Sequence, residues 1–117
     1  MYYQIWNGPP DDPMSMIVFG DLTTNRLIHT EFSNIYRISQ TTPGTTRPIM
    51  KNTASCGVTL PPGTYWLDWL TDGSLSSGPW APPITINGQT ITGNALQYVG
   101  SSATWNPAND SGTLTQQ

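Results

Sequence analysis

Aromatic residues alternate with other types through Thr64-Tyr65-Trp66-Leu67-Asp68-Trp69-Leu70-Thr71, directly after the turn-forming Pro61-Pro62-Gly63. A period of two belongs to a β-strand, because successive side chains of an extended chain project to opposite sides of its sheet. Thr64, Trp66, Asp68 and Leu70 therefore share one face, and Tyr65, Leu67 and Trp69 share the other. The second set is the candidate core. The first places an aromatic plate beside a carboxylate, a pairing equally suited to holding a sugar ring or to lying beneath a covering loop.

No segment keeps apolar residues at i, i+3, i+4 and i+7 for three turns, and Gly or Pro interrupts most windows of that size. The pattern predicts strands instead, at Tyr2 to Trp6, Met16 to Phe19, Arg26 to Thr30 and Asn34 to Ser39. A longer extended stretch, Pro48 to Leu60, is expected to bend or bulge near Gly57. Thr64 to Thr71, Pro83 to Ile86, Gln89 to Thr92 and Leu96 to Val99 complete the set. Within Asn34-Ile35-Tyr36-Arg37-Ile38 the faces split into Ile35 with Arg37 and Tyr36 with Ile38, which suggests a sheet with one buried side. In Ile84-Thr85-Ile86-Asn87-Gly88-Gln89-Thr90-Ile91, Asn-Gly tolerates the positive φ angles of a type I′ turn and predicts a hairpin. Asn7 to Pro13, Thr41 to Thr46 and Asp72 to Pro82 are rich in turn residues, lack periodicity and read as loops.

Short strands with such punctuation at roughly ten-residue spacing predict an all-β fold. The expected architecture is a jelly-roll-like β-sandwich of about eight short antiparallel strands, with residues 1–117 forming one domain. The chain is long enough for a single modest core and too short for two. No internal repeat argues for a propeller or solenoid.

Only 9% of residues are charged, against roughly a quarter in an average globular protein, and Thr, Ser, Asn and Gln supply about a third of the chain. Solubility rests on uncharged polar groups. Five Trp, five Tyr and two Phe provide core material that disordered chains usually lack, so the chain is read as folded. The formal charge is −3, and Arg26, Arg37, Arg47 and Lys51 are scattered, too few to neutralise a phosphate backbone. Nucleic acid is not an expected partner. No apolar run reaches the roughly 18 to 20 residues of a membrane span, so no membrane insertion is expected. Met1-Tyr2-Tyr3-Gln4-Ile5-Trp6 lacks the basic start and apolar stretch of a signal peptide, so an exported form is expected to have lost its targeting segment or to carry it upstream.

Catalytic constellations are hard to assemble from this chain. Cys56 is the single cysteine, forms no intrachain disulfide and is expected to be a small buried hydrophobe in a strand. His29, the single histidine, reads as an ordinary polar strand position; no Gly-x-Ser-x-Gly elbow accompanies it. One His and one Cys do not make a zinc or copper centre, and neither a metal nor a cofactor is expected. Glycoside hydrolysis needs two carboxyl groups. Of the seven acids most fall in turns, where Asp accepts local hydrogen bonds, and Asp68 alone lies inside a convincing strand beside tryptophans. Asp68-x-x-x-Asp72-Gly73 offers oxygen ligands for calcium but matches no complete loop signature.

Carbohydrate recognition uses flat aromatic faces flanked by Asn, Gln, Asp and Thr. The candidate ligand-binding residues are Trp66 and Asp68, which share a strand face, and Trp80 in the rigid Ser77-Gly78-Pro79-Trp80-Ala81-Pro82-Pro83 loop. The competing reading is that Trp80 folds back over Trp66 to form a minor core, and the same choice attends Trp6 and Trp105.

Gln4-Ile5-Trp6-Asn7-Gly8-Pro9-Pro10, Thr24-Asn25-Arg26-Leu27, Arg47-Pro48-Ile49-Met50, Leu60 through Trp69, Ser77 through Ile86 and Gly93-Asn94-Ala95-Leu96-Gln97-Tyr98 together resemble a β-sandwich module of unassigned activity found within secreted bacterial proteins. The resemblance implies an extracellular setting and a noncatalytic role, and transfers no functional residues. Modules of that kind carry further strand sequence before the region matching Tyr2 and an apolar strand after the region matching Gln117. The chain is accordingly expected to be a fragment or a compact variant whose exposed strand edges favour a homo-oligomer.

Three functions follow as expectations. The first is an extracellular, noncatalytic recognition or adhesion module with a glycan ligand; the second is a structural subunit that assembles through strand edges. The third is a polysaccharide-active enzyme using Asp68 or Glu31.

Overall fold

Tyr2–Trp6 forms β1, the central strand of an antiparallel three-stranded sheet in the order β2-β1-β5, with β2 at Ile17–Asp21 and β5 at Trp66–Leu70. The computed structural model describes residues 1–37, 43–76, 78–81, 93–109 and 116. These fall into two units, Met1–Trp80 and Ala81–Gln117, each described by itself. Seven strands are described, all pairings between them are antiparallel, and no helix occurs among the described residues. The Asn87-Gly88 hairpin and the strands expected at Pro83 to Ile86 and Gln89 to Thr92 lie outside the described residues.

Burial follows position in the sheet. Tyr3 and Ile5, on one face of the central strand, are only 4% and 9% exposed. Their partners on β5 are Trp69 and Leu67, on the same face, so the alternation expected of this strand is present. The expected core status of Leu67 and Trp69 is not: they are 62% and 44% exposed. Among the described residues β5 is an edge strand with a neighbour on one side only.

A cluster around Tyr3 ties this sheet to the chain that follows. The Tyr3 hydroxyl donates to the Ser55 carbonyl oxygen at 2.6 Å. The neighbouring Cys56 thiol, together with burial, pushes the phenol's pKa above its ordinary value. The Arg26 guanidinium lies over the rings of Tyr3 and Phe19 at 5.6 and 5.3 Å and bridges to Asp21 at 2.8 Å. Asp21 ends β2 and also accepts from the Thr23 hydroxyl and backbone N–H and from the Thr24 N–H. One carboxylate therefore closes the turn after β2 and anchors the arginine above the core.

Leu27–Tyr36 is β3 and Pro48–Ala54 is β4, paired as a two-stranded ribbon. The two strands expected at Arg26 to Thr30 and Asn34 to Ser39 are one. Register shifts absorb the irregularity, one at Ile28 and one between Phe32 and Tyr36, where Asn34 takes a φ of 62° and the Ser33 hydroxyl donates to the Ile49 carbonyl at 2.7 Å. Ile35 and Tyr36 are both exposed, so the single buried side expected here is not seen. The extended stretch expected to reach Leu60 ends as a strand at Ala54. Ser55 turns away, its N–H given to the Arg26 carbonyl and its own carbonyl taken by Tyr3. Cys56 consequently lies beyond the ladder and is exposed, contrary to the buried strand position expected of it.

In the second unit, Leu96–Val99 and Thr104–Pro107 form β6 and β7 around a turn in which Ala103 has a φ of 52°. Tyr98 faces Trp105 with ring centroids 5.2 Å apart at 61°. The Ala95 carbonyl accepts from the Ala108 N–H and from the Gln116 side chain.

Candidate functional site

The ladder between β1 and β5 assembles a second, more polar face. Trp66 stands opposite Trp6, Asp68 opposite Gln4 and Leu70 opposite Tyr2, all on the side away from Tyr3 and Ile5. Sequence alternation groups Trp66 with Asp68; what it misses is that β1 supplies Trp6 and Gln4 as their cross-strand neighbours. The signal that could have found them is the matching alternation Tyr2, Gln4, Trp6 in a strand of equal length.

On its other side Gln4 is paired with Gly20 of β2. Gly20 has a φ of 84°, and a Cβ there would lie 2.3 Å from the Tyr3 carbonyl oxygen, so no side chain fits. The row Gly20–Gln4–Asp68 is therefore bare at one end and carries an amide and a carboxyl at the other. The row beside it carries the two indoles.

Asp68 and Trp66 are both half-buried. Partial withdrawal from water raises the Asp68 pKa above the ordinary carboxylate value, and the nearby Trp6 indole N–H offsets part of that rise. Trp6 Nε1 is enclosed and has no acceptor in hydrogen-bond geometry among the described residues. The indole thus lends a dipole to the carboxyl without satisfying it, and the carboxyl keeps acceptor capacity for a group arriving from solvent.

Trp80 is elsewhere. It is 78% exposed and does not fold back as a cover for Trp66. It follows Gly78 and Pro79, which with Thr71 to Leu75 line one wall of a cavity beyond the end of β5. Five residues of extended chain from Trp66 to Thr71 span roughly 16 Å. The three candidate residues therefore fall into two places: Trp66 with Asp68 on the sheet face, and Trp80 by the cavity.

Glu31, Asp72 and Asp12 have local partners. Glu31 pairs with Lys51 at 3.0 Å and lies 3.6 Å from His29, all on the β3–β4 ribbon. Asp72 accepts the Gly73 N–H and Asp12 the Met14 N–H, as turn acids do. Among the described residues no group of three His, Cys, Asp or Glu side chains is placed to hold a metal ion. No described helix is long and apolar enough to cross a membrane.

Comparison of the chain with protein-family models, with curated proteins and with solved structures returns no match.

Proposed function

We propose that this chain is a noncatalytic extracellular recognition module that binds a glycan on the β1–β5 face. The observation that carries the reading is the opposed pair Gln4 and Asp68 beside the opposed pair Trp6 and Trp66. A sugar ring has an apolar side that stacks on an indole and hydroxyl groups that both donate and accept. Gln4 supplies donors and an acceptor, and the Asp68 carboxylate accepts strongly. Keeping a half-dehydrated carboxyl at this position works against stability, and a ligand hydroxyl that donates to it turns the cost into affinity.

The architecture that goes with this reading is a jelly-roll-like β-sandwich, supported by the antiparallel ladders and by burial concentrated on one face of β1. The extracellular setting is supported by the motif resemblance and by the low charge. The enzyme reading receives less support, because Glu31 is engaged on the β3–β4 ribbon and Asp68 belongs to a different sheet.

Titration of the tryptophan fluorescence of the full chain with soluble and insoluble glycans tests the proposal. A saturable change with one glycan class, lost in Trp66→Ala, is the expected result. An unchanged spectrum across the whole panel refutes it.

A second reading is favoured by the edges. Among the described residues β2 and β5 each have a neighbour on one side only, and Ile17, Val18, Leu67 and Leu70 on them are exposed. Assembly by strand addition would cover them. Light scattering over a range of concentrations tests this second reading: mass rising with concentration in the absence of glycan supports it, and a constant monomer mass removes it.

A further inference from the structure

Within Met1–Trp80 a cavity of about 450 Å³ opens between one face of the β3–β4 ribbon and the loop residues Thr71 to Leu75, Gly78 and Pro79. Its size lies in the range of about 300 to 1,000 Å³ usual for small-molecule sites. The loop keeps its narrow neck because position 73 has no side chain: a Cβ on Gly73 would stand 2.8 Å from Pro79 Cδ.

The walls are mixed in a way that limits what can bind. Leu27, Met50, Leu75 and Pro79 supply apolar surface. Thr30 and Asn52, opposite one another on the ribbon, supply polar groups. The Thr30 hydroxyl donates to Asn52 Oδ1 at 2.7 Å, which fixes the amide and leaves both hydrogens on Nδ2 free to donate. Asp72 also lines the cavity and gives Oδ1 to the Gly73 N–H at 2.9 Å, so Oδ2 remains an acceptor. No Lys or Arg lines the space.

The Met1 ammonium, which gives a hydrogen bond to Asn25 Oδ1 at 3.0 Å, borders the space together with the Asp72 carboxylate, so an anion finds no net positive charge there. A purely apolar guest would cover Asn52 and Asp72 without offering either a partner. A neutral ring with hydroxyl groups and an apolar flank satisfies both walls. We propose that this cavity is a second binding site, separate from the β1–β5 face, that holds one neutral sugar ring. Trp80, next in the chain after Pro79 and largely exposed, stands available to stack the following ring of a longer glycan. The proposal does not require the β1–β5 face to bind anything.

Saturation-transfer NMR on the full chain with glucose, galactose, mannose, xylose and N-acetylglucosamine tests it. The expected result is transfer to at least one monosaccharide, with affinity at least about tenfold weaker in Asn52→Leu and in Ser74→Trp, since each removes a fixed donor or fills the space. Ser74 is in the loop and not in the ribbon, so Ser74→Trp reads the cavity even if Asn52→Leu disturbs β4. Amide chemical-shift mapping separates this site from the sheet face: shifts are expected at Asn52, Ser74 and Leu75 whether or not Gln4, Trp66 and Asp68 respond. Absence of transfer to any of the five sugars overturns the proposal. So do shifts confined to the β1–β5 face, or cavity shifts that survive Ser74→Trp.

Discussion

Gln4 stands directly opposite Asp68 across the β1–β5 ladder, while its neighbour on the β2 side is Gly20, a residue with no side chain. The amide and the carboxyl are thereby left side by side at a place where the sheet cannot fill the space next to them. On the other face of the same strand Tyr3 is enclosed. One five-residue strand thus carries the best-buried side chain of the described residues and half of the candidate site.

Gly20→Ala is expected to destabilise the chain by at least about 2 kcal/mol, because a positive φ and a clash with backbone are combined. The added methyl would meet the Tyr3 carbonyl oxygen, an atom that cannot move without breaking the ladder. The midpoint of urea unfolding checks this, and a midpoint equal to wild type would show that β2 can shift freely.

Tyr3→Phe is expected to cost about 1 to 3 kcal/mol, since the Ser55 carbonyl oxygen loses its short partner in a partly buried setting. Packing of the ring on Phe19 is retained, so the loss isolates the hydroxyl. Equal stability of Tyr3→Phe and wild type in chemical denaturation would mean that the bond contributes nothing net.

Asp21 and Asp68 are expected to move stability in opposite directions with pH. The Thr23 hydroxyl and the Thr24 and Thr23 backbone N–H groups hold the Asp21 pKa well below the usual carboxylate range. Its contribution is complete above the unfolded value of about 3.9 and is lost as pH falls through the depressed folded value. Asp21→Ala should therefore be less stable than wild type at neutral pH and should lose less on acidification. Denaturation midpoints collected from neutral to acid pH test the sign, and a constant difference between the two proteins would contradict it.

Much of the strand pattern was legible in the chain. Tyr2–Trp6 and Leu96–Val99 fall where alternation put them, because short strands with clear turns need no tertiary information. Alternation also separated Trp66 and Asp68 from Leu67 and Trp69. It could not say which set is covered, since burial depends on whether a strand is central or at an edge, and edge position is set by partners distant in sequence. The two bulges of β3 hid its continuity for a related reason: the break expected between Thr30 and Asn34 closes only when Ser33 is seen bonded to the partner strand. Thr104–Pro107 escaped notice because Asn106 and Pro107 look like loop; only the facing Tyr98 makes Trp105 a strand residue. The pairing of Trp6 and Gln4 with the site is again a cross-strand fact.

Asp68 has the opposite sign to Asp21. Burial raises its pKa, so its ionisation is disfavoured by folding: wild-type stability should fall as pH rises from the ordinary carboxylate value through the raised folded value. Asp68→Asn should be more stable than wild type at neutral pH, with the advantage gone well below about pH 4, where both forms are uncharged.

In the proposed function a ligand hydroxyl offsets the stability that the Asp68 carboxyl costs, and that trade is the centre of the account. Its most direct test is thermal unfolding of wild type and Asp68→Asn at neutral pH, each with and without the glycan panel. The account predicts that Asp68→Asn melts higher than wild type without ligand, and that one glycan class raises the wild-type Tm while leaving the variant unmoved. A glycan that stabilises both proteins equally, or none that stabilises wild type, would contradict it.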